Sequence, residues 1–258
     1  MVLGAGITRL DGNRIIITGG ASGMGEGLVR AFPQLGASVV SLDLSEEVGS
    51  RIASESGAEF VAVDVSDKDS VDSAVDEAVS KLGGLDVLIH AAGIAPSSPG
   101  ESTSVELWNT VMSINALGTL LTNQAAFRHL KAEGGRILNF ASAAGVVGLP
   151  NKSAYAASKG AVLGFTRTVA AEWAKYNITV NAIAPAIWTP MYDKTRSEMT
   201  PEQLSAHDAM MAKAVPIGGK LGDIDSDFVP VMAFYASRGA GFMTGQTISV
   251  DGGTLMVR

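Results

Sequence analysis

The chain has 258 residues, 47% hydrophobic against 17% charged, which supplies a large packed core and excludes disorder as its main theme. A formal net charge of −7 leaves no lysine and arginine surplus to neutralise phosphates, which excludes nucleic acid as the expected partner. With no cysteine, disulfides and thiolate metal sites are excluded too, as suits a cytoplasmic protein.

The opening MVLGAGITRLDGNRI has no basic leader ahead of a long apolar run, so no secretory signal is expected. RIIIT (14–18) reads as a first buried strand and 24–35 as a helix. The alternation continues through strand SVVSLD (38–43), helix 46–56, strand EFVAVD (59–64) and helix 67–82. Strand DVLIHA (86–91), a long helix over 104–131, strand GRILNFAS (135–142), helix 154–176 and strand ITVNAIAP (178–185) follow. Within the long helix, the uncharged stretch from Leu107 to Phe127 carries Asn109, Asn115, Thr119, Asn123 and Gln124, too polar for a membrane span. Residues 186–222 break the rhythm with scattered Pro, Met and Gly and a short helix around 201–214. Helix 224–237 and strand TISVDGG (247–253) close the chain.

Continuous apolar strands separated by helices predict an α/β fold, a doubly wound seven-stranded parallel sheet flanked by helices on both faces. No linker, repeat or composition shift divides it, so residues 1–258 are expected to form a single domain. Following a late strand, 186–222 is expected to be a lid over the carboxyl edge of the sheet, where open α/β folds bind ligands.

After the first strand comes TGGASGMGEGLV, with Thr18, Gly19, Gly23 and Gly25 opening into a helix. Glycines there let the backbone turn tightly and approach a ligand, and the helix N-terminus offers N–H groups to a pyrophosphate. Three residues separate the first two glycines, a departure from the usual G-x-G-x-x-G fingerprint, and no G-x-x-x-x-G-K-[ST] points to an ATP loop. The second strand ends at Asp43, where a carboxylate accepts both ribose hydroxyls of an adenosine and repels a 2′-phosphate. Ser22 and Leu44 offer that phosphate no cation, so NAD is expected rather than NADP. Asp64, closing the third strand, is either an adenine contact or a helix N-cap.

SAYAASKGAV (153–162) sets Tyr155 and Lys159 four residues apart, on one helical face. A phenol with its ordinary pKa of about 10 holds its proton too tightly to act as a base at neutral pH. A cation roughly 4–5 Å away at an effective dielectric near 20 is worth about 3–4 kcal/mol, less the opposing desolvation. The lysine is therefore expected to bring Tyr155 toward the neutral range. Ser142 closes the fifth strand thirteen residues upstream, where its hydroxyl and the phenol can hold one substrate oxygen between two donors.

With these motifs in view the chain resembles the short-chain dehydrogenase/reductase family over nearly its whole length. Thr18-Gly19-x-x-x-Gly23-x-Gly25 matches the cofactor turn of its Rossmann fold, and Ser142 with Tyr155-x-x-x-Lys159 matches its catalytic set. The resemblance implies that Tyr155 is the general acid/base, that Lys159 lowers its pKa and holds the nicotinamide ribose, and that Ser142 orients the substrate oxygen. Asn115 in SINALG would anchor a proton-relay water. Cofactor contacts would extend over Gly19, Ser22, Gly23, Met24, Gly25, Asp43, Leu44, Asp64, Val65, Ala91, Ala92, Gly93, Tyr155, Lys159 and Pro185, with Thr189 and the backbone of Ile187 meeting the carboxamide. The family usually has Asn-Asn-Ala-Gly after the fourth strand; here it is His90-Ala91-Ala92-Gly93, with His90 expected to be a satisfied structural residue. The family's Pro-Gly after the sixth strand is Pro185-Ala186.

The function so implied is NAD-dependent interconversion of a secondary alcohol and a ketone. Two alternatives stand beside it. One is a 3-oxoacyl-[acyl-carrier-protein] reductase, whose members usually prefer NADP and grip the carrier with a basic patch. Arg128 is available for that patch, but Ala171 occupies the place where those reductases commonly carry Arg. The other is a dinucleotide-sensing or scaffold protein without turnover. His129 and His207 stand apart from any carboxylate cluster, so no catalytic metal is expected. Trp188, Met191, Tyr192, Met199, Met210 and Met211 either line a pocket for an apolar substrate or pack the lid. The partners expected are a small alcohol or ketone, neither membrane nor nucleic acid, and, from the resemblance, three further copies in a homotetramer.

Overall fold

In the computed structural model, which describes residues 8–255, the three isoleucines of β1 (Arg14–Thr18) divide between two cores. Side chains alternate across a strand, so Ile15 and Ile17 enter one buried cluster and Ile16 the other. A strand that must be apolar on both faces reads as an unbroken hydrophobic run, which is why RIIIT carries no alternation. The other strands are β2 (Ser38–Asp43), β3 (Glu59–Ala62), β4 (Val87–His90), β5 (Gly135–Phe140), β6 (Ile178–Pro185) and β7 (Thr247–Val250). All pair in parallel, in the order β3-β2-β1-β4-β5-β6-β7, as a doubly wound Rossmann-type sheet requires.

The helices are α1 (Gly23–Ala31), α2 (Glu46–Ser56), α3 (Lys68–Leu82), α4 (Val105–Val111), α5 (Gly118–Leu130), α6 (Ala144–Val147), α7 (Ser153–Trp173), α8 (Pro190–Ser197), α9 (Pro201–Ala214) and α10 (Val229–Ala236). Helices α1, α2 and α10 cover one face through Leu28, Ile52 and Met232. The opposite face is closed by α3, α5 and α7 through Val75, Leu130 and Trp173. None of the described helices is long and apolar enough to cross a membrane.

The expected helix over 104–131 is interrupted. Between α4 and α5, Met112–Leu117 form a π-helical turn, in which the ladder is looser by one residue. Its cause is tertiary: Asn115 is fully buried and spends its amide on another segment. A second π turn, Ile224–Phe228, precedes α10. β5 ends at Phe140, so Ser142 sits in the loop beyond the strand that was expected to contain it. In 186–222 the helix expected around 201–214 is α9, started by a capping box in which Thr200 and Gln203 satisfy each other's backbone. No residue of α8 or α9 is fully buried, so these helices lie on the surface of the sheet's carboxyl edge.

Candidate active site

The chain reverses its direction across the sheet between β1 and β4, and the carboxyl ends of these two strands bound a crevice. A cavity of about 420 Å³ opens there. The glycine turn lines one wall with Gly19, Ser22, Gly23, Met24 and Gly25, joined by Asp43, Leu44, Asp64 and Val65 at the ends of β2 and β3. The other wall is Ala91, Ala92 and Gly93 after β4, Tyr155 and Lys159 on α7, and Pro185 and Thr189 after β6.

The turn has no room for side chains where backbone approaches backbone. Gly19 holds φ +72°, and a Cβ there would stand 2.7 Å from the Ala92 nitrogen; one on Gly25 would stand 2.1 Å from the Gly19 oxygen. Ser22, the N-cap of α1, makes no side-chain bond to the helix start, so the first N–H groups of α1 face the cavity without a side-chain cap. Uncapped donors on a glycine cradle fit a dinucleotide pyrophosphate. At the end of β2, Asp43 accepts from the Ala21 nitrogen (3.0 Å) and the Ser45 nitrogen (2.9 Å), which ties the strand end to the glycine turn. Asp64 is not an N-cap. That role falls to Asp67, while Asp64 accepts from the backbone and hydroxyl of Ser66, bonds that hold its carboxyl below the ordinary range.

The side chain of Ile187 is buried in the core, where it fills the space beside Gly222, which leaves only its backbone for the expected carboxamide contact. Of the apolar candidates in 186–222, Met191 lines the cavity. Trp188 and Tyr192 instead pack edge to face at 4.8 Å beneath the Arg196 guanidinium, and Tyr192 meets His207 at 2.6 Å. Arg196 pairs with Asp208, fastening α8 to α9.

Tyr155 and Lys159 share one face of α7. The Lys159 ammonium lies 5.8 Å from the phenol ring centroid and donates to the Phe140 carbonyl at 2.6 Å. Burial pushes the ammonium down to about 8. The same burial raises Tyr155 above the ordinary phenol value, with the Ser142 hydroxyl pulling the other way. The direction is opposite to the expected fall: desolvation of the phenol outweighs its hydrogen bond with Ser142. Ser142 accepts from the Ala144 nitrogen at 3.1 Å, which orients its hydroxyl.

Asn115 is fully buried and lies behind the wall. It accepts from the Ile94 nitrogen and donates to the Ile94 oxygen, both at 2.9 Å, and donates to Ser158 at 3.0 Å. A Cβ on Gly93 would stand 3.0 Å from the Asn115 side-chain carbonyl and 3.5 Å from the Lys159 nitrogen, so both groups press close on that glycine. His90 is satisfied on one side only: Nδ1 meets Thr18 at 2.9 Å and Thr122 at 3.1 Å, whereas buried Nε2 has no partner among the described residues. Burial, aided by nearby Lys159, pushes His90 down to about 3. The sequence reading missed Ile94, Ala95, Ile114 and Ala141 on the wall. They carry no chemistry; their one sequence signal is adjacency to a strand end or to Asn115.

Compared with known proteins, residues 19–254 match a family model described as enoyl-(acyl carrier protein) reductase. The chain is 37% identical to cis-4-hydroxycyclohexanecarboxylate dehydrogenase of Sinomonas cyclohexanicum, over 92% of its length and 94% of the relative's. Its structure resembles that of a provisionally named short-chain alcohol dehydrogenase from Sinorhizobium meliloti 1021, with a TM-score of 0.88 and 34% identity over 96% of this chain and 98% of that one. It also resembles 3-ketoacyl-(acyl-carrier-protein) reductase from Brucella melitensis in complex with NADH, with a TM-score of 0.84 and 32% identity over 96% and 100%.

Proposed function

The chain belongs to the short-chain dehydrogenase/reductase family, and from that premise we propose that it interconverts a secondary alcohol and a ketone with NAD as its cofactor. The single observation that carries this reading is the convergence of Tyr155, Lys159 and the glycine cradle on one cavity at the switch point of the sheet. The uncapped start of α1 would hold the pyrophosphate, Asp43 the adenosine ribose, and Lys159 the nicotinamide ribose. When bound, the nicotinamide donates or accepts hydride at the carbinol carbon.

The protein's own residues handle the oxygen and its proton. Ser142 and Tyr155 hold the carbonyl oxygen between two hydroxyls, which polarises it for attack. As hydride arrives at carbon, Tyr155 gives its proton to that oxygen. In the reverse direction the phenolate takes the proton from the hydroxyl. Burial keeps the phenol in its acid form at neutral pH, the form that serves reduction, so oxidation accelerates as pH rises. Asn115, fixed to the Ile94 backbone and to Ser158, would anchor a water through which Tyr155 exchanges its proton with solvent.

NAD is favoured over NADP because the end of β2 presents a carboxylate, flanked by Leu44 and Ser22. The complex of the B. melitensis reductase with NADH agrees with that preference. The same relative supports a second reading, reduction of a 3-oxoacyl carrier-protein thioester. Against it, Arg128 is committed to Asp72 at 2.9 Å and Asp76 at 3.6 Å rather than to a free basic patch. We assign 186–222 as the lid of a single catalytic domain and the homotetramer as the working assembly, in a cytoplasm suited to a chain without cysteine. Support for the assembly comes from β7, an edge strand, from wholly exposed Phe242, and from Gly164, above which a Cβ would meet open space.

The test is turnover of a panel of ketones and secondary alcohols, and of a 3-oxoacyl thioester, with NAD(H) and NADP(H) in parallel. Expected are a preference for NAD(H) and a loss of at least about a thousandfold in kcat for Tyr155→Phe with NADH binding retained. Undiminished activity in that variant sinks the mechanism, a preference for NADPH sinks the role of Asp43, and NADH binding without turnover of any compound points to the sensing protein.

A further inference from the structure

Lys152 and Lys159 bracket Tyr155 in sequence, Lys152 three residues before it as the N-cap of α7 and Lys159 four after it within the helix. Burial holds both ammoniums below the ordinary lysine range. Both donate to a backbone carbonyl: Lys159 to Phe140 and Lys152 to Ala95, a residue of the cavity wall. Lys159 has its place beside the phenol. Lys152 has none in the chemistry described so far.

Its position is held firmly. The loop after β4 meets the approach to α7 in a parallel bridge between Ser98 and Lys152, with the Ser98 nitrogen donating to the Asn151 carbonyl at 2.9 Å. Thr103 and Ser153 join their hydroxyls at 2.9 Å. These bonds already clasp the two segments together, so the structure needs no lysine to do it. Burial lowers the ammonium, and among the described residues no carboxylate pairs with it to offset that burial. An ammonium carries three donors, and the Ala95 carbonyl takes one. Taking a charge partly out of water without an opposite charge is costly, and a neutral amide would make the same bond to Ala95 without that cost. A retained charge hydrogen-bonded to the carbonyl of a cavity-wall residue, in a protein of net charge −7, is suited to drawing in an anion.

We propose that the two remaining donors of Lys152 receive a carboxylate carried by the substrate, so that the alcohol or ketone handled at Tyr155 is a hydroxy or oxo carboxylic acid. This assignment rests on Tyr155 acting as the acid–base group. Lys152 then sets specificity: it orients the far end of the substrate and leaves hydride and proton transfer to the residues at the near end.

The experiment compares each acid with its methyl ester, a partner of the same carbon frame without the charge. 4-Oxopentanoate and 4-oxocyclohexanecarboxylate and their methyl esters are reduced with NADH and with NADPH by the wild type, Lys152→Gln and Lys152→Arg. A charge-assisted hydrogen bond is worth roughly ten- to a hundredfold. The wild type is therefore expected to favour at least one acid over its ester by at least about tenfold in kcat/KM, through KM. Lys152→Gln brings that ratio near one, and Lys152→Arg keeps most of it. Calorimetric titration of cyclohexanecarboxylate into the NAD-saturated protein should show binding weakened by about tenfold or more in Lys152→Gln. A wild-type ratio near one for both pairs, or a ratio or affinity that survives in Lys152→Gln, overturns the proposal. Turnover of esters and neutral ketones with no preference for acids removes the carboxylate assignment alone. Absence of turnover of every compound, with NADH still bound, removes the oxidoreductase reading along with it. Should Lys152→Gln not fold, the wild-type ratio and Lys152→Arg decide.

Discussion

At position 90 one imidazole is partnered on one side only. Nδ1 meets the hydroxyls of Thr18 at 2.9 Å and Thr122 at 3.1 Å. Nε2 faces no partner among the described residues, and the imidazolium carries a proton on each nitrogen. Protonating it would bury an N–H without an acceptor and a charge near Lys159, which is why His90 is pushed from 6.5 to about 3. Between those values the unfolded chain binds a proton that the folded one refuses. Stability contributed by the neutral ring is thus complete above the unfolded value and drains away as pH falls toward the folded one, by up to about 1.4 kcal/mol per pH unit. His90→Asn should flatten that loss. Urea midpoints of wild type and variant measured from pH 7 to pH 4 should diverge below pH 6.5, and parallel curves would disprove the account. The residues bearing chemistry were the legible ones: Tyr155 and Lys159 announce themselves by spacing, Asp43 by closing a strand. What they touch was not. The Asn115 bonds to Ile94 and Ser158 span 21 and 43 residues, and the burial that lifts Tyr155 comes from packing that no local pattern encodes.

The elements obey the same division. Alternation of apolar runs and helices was enough to draw the sheet, because strands buried on both faces leave an unmistakable pattern. Helix α8 was not anticipated: PMYDKTRS buries no residue and has no apolar stripe to read. The π turn at 112–117 was hidden because a helical pattern runs through it unbroken. The glycine turn supports a quantitative expectation. Gly19→Ala combines a left-handed backbone with a Cβ 2.7 Å from the Ala92 nitrogen, whereas Gly57, at nearly the same φ, has open space around it. Gly57→Ala should cost about 1 kcal/mol, the conformational term alone, while Gly19→Ala should cost about 2 kcal/mol or more. Thermal unfolding measures both. NADH titration should show at least about tenfold weaker binding for Gly19→Ala and little change for Gly57→Ala; equal effects would mean that the turn is not a close-approach site.

Over the whole molecule, two cores flank one sheet, and the sheet still ends in an edge. β7 pairs with β6 on one side only, and Phe242 stands fully exposed in the chain that leads into it. A large aromatic ring left in water beside an unpaired strand is what an interface between copies would cover. Sedimentation velocity should give four times the 26.5 kDa chain mass, and Phe242→Glu should shift the protein toward smaller species. A single-chain mass for the wild type at micromolar concentration would refute the tetramer. One consequence follows from the π turn that carries Asn115. It holds a surplus residue that a regular helix would not contain, and excising any one of the six from Met112 to Leu117 would let α4 and α5 fuse. The faces of α4 and α5 would be kept, and the change would fall on the residues of the turn itself, Asn115 among them. Most of those six positions should then tolerate replacement while none tolerates loss, because what the molecule relies on there is the length of the chain more than its spelling.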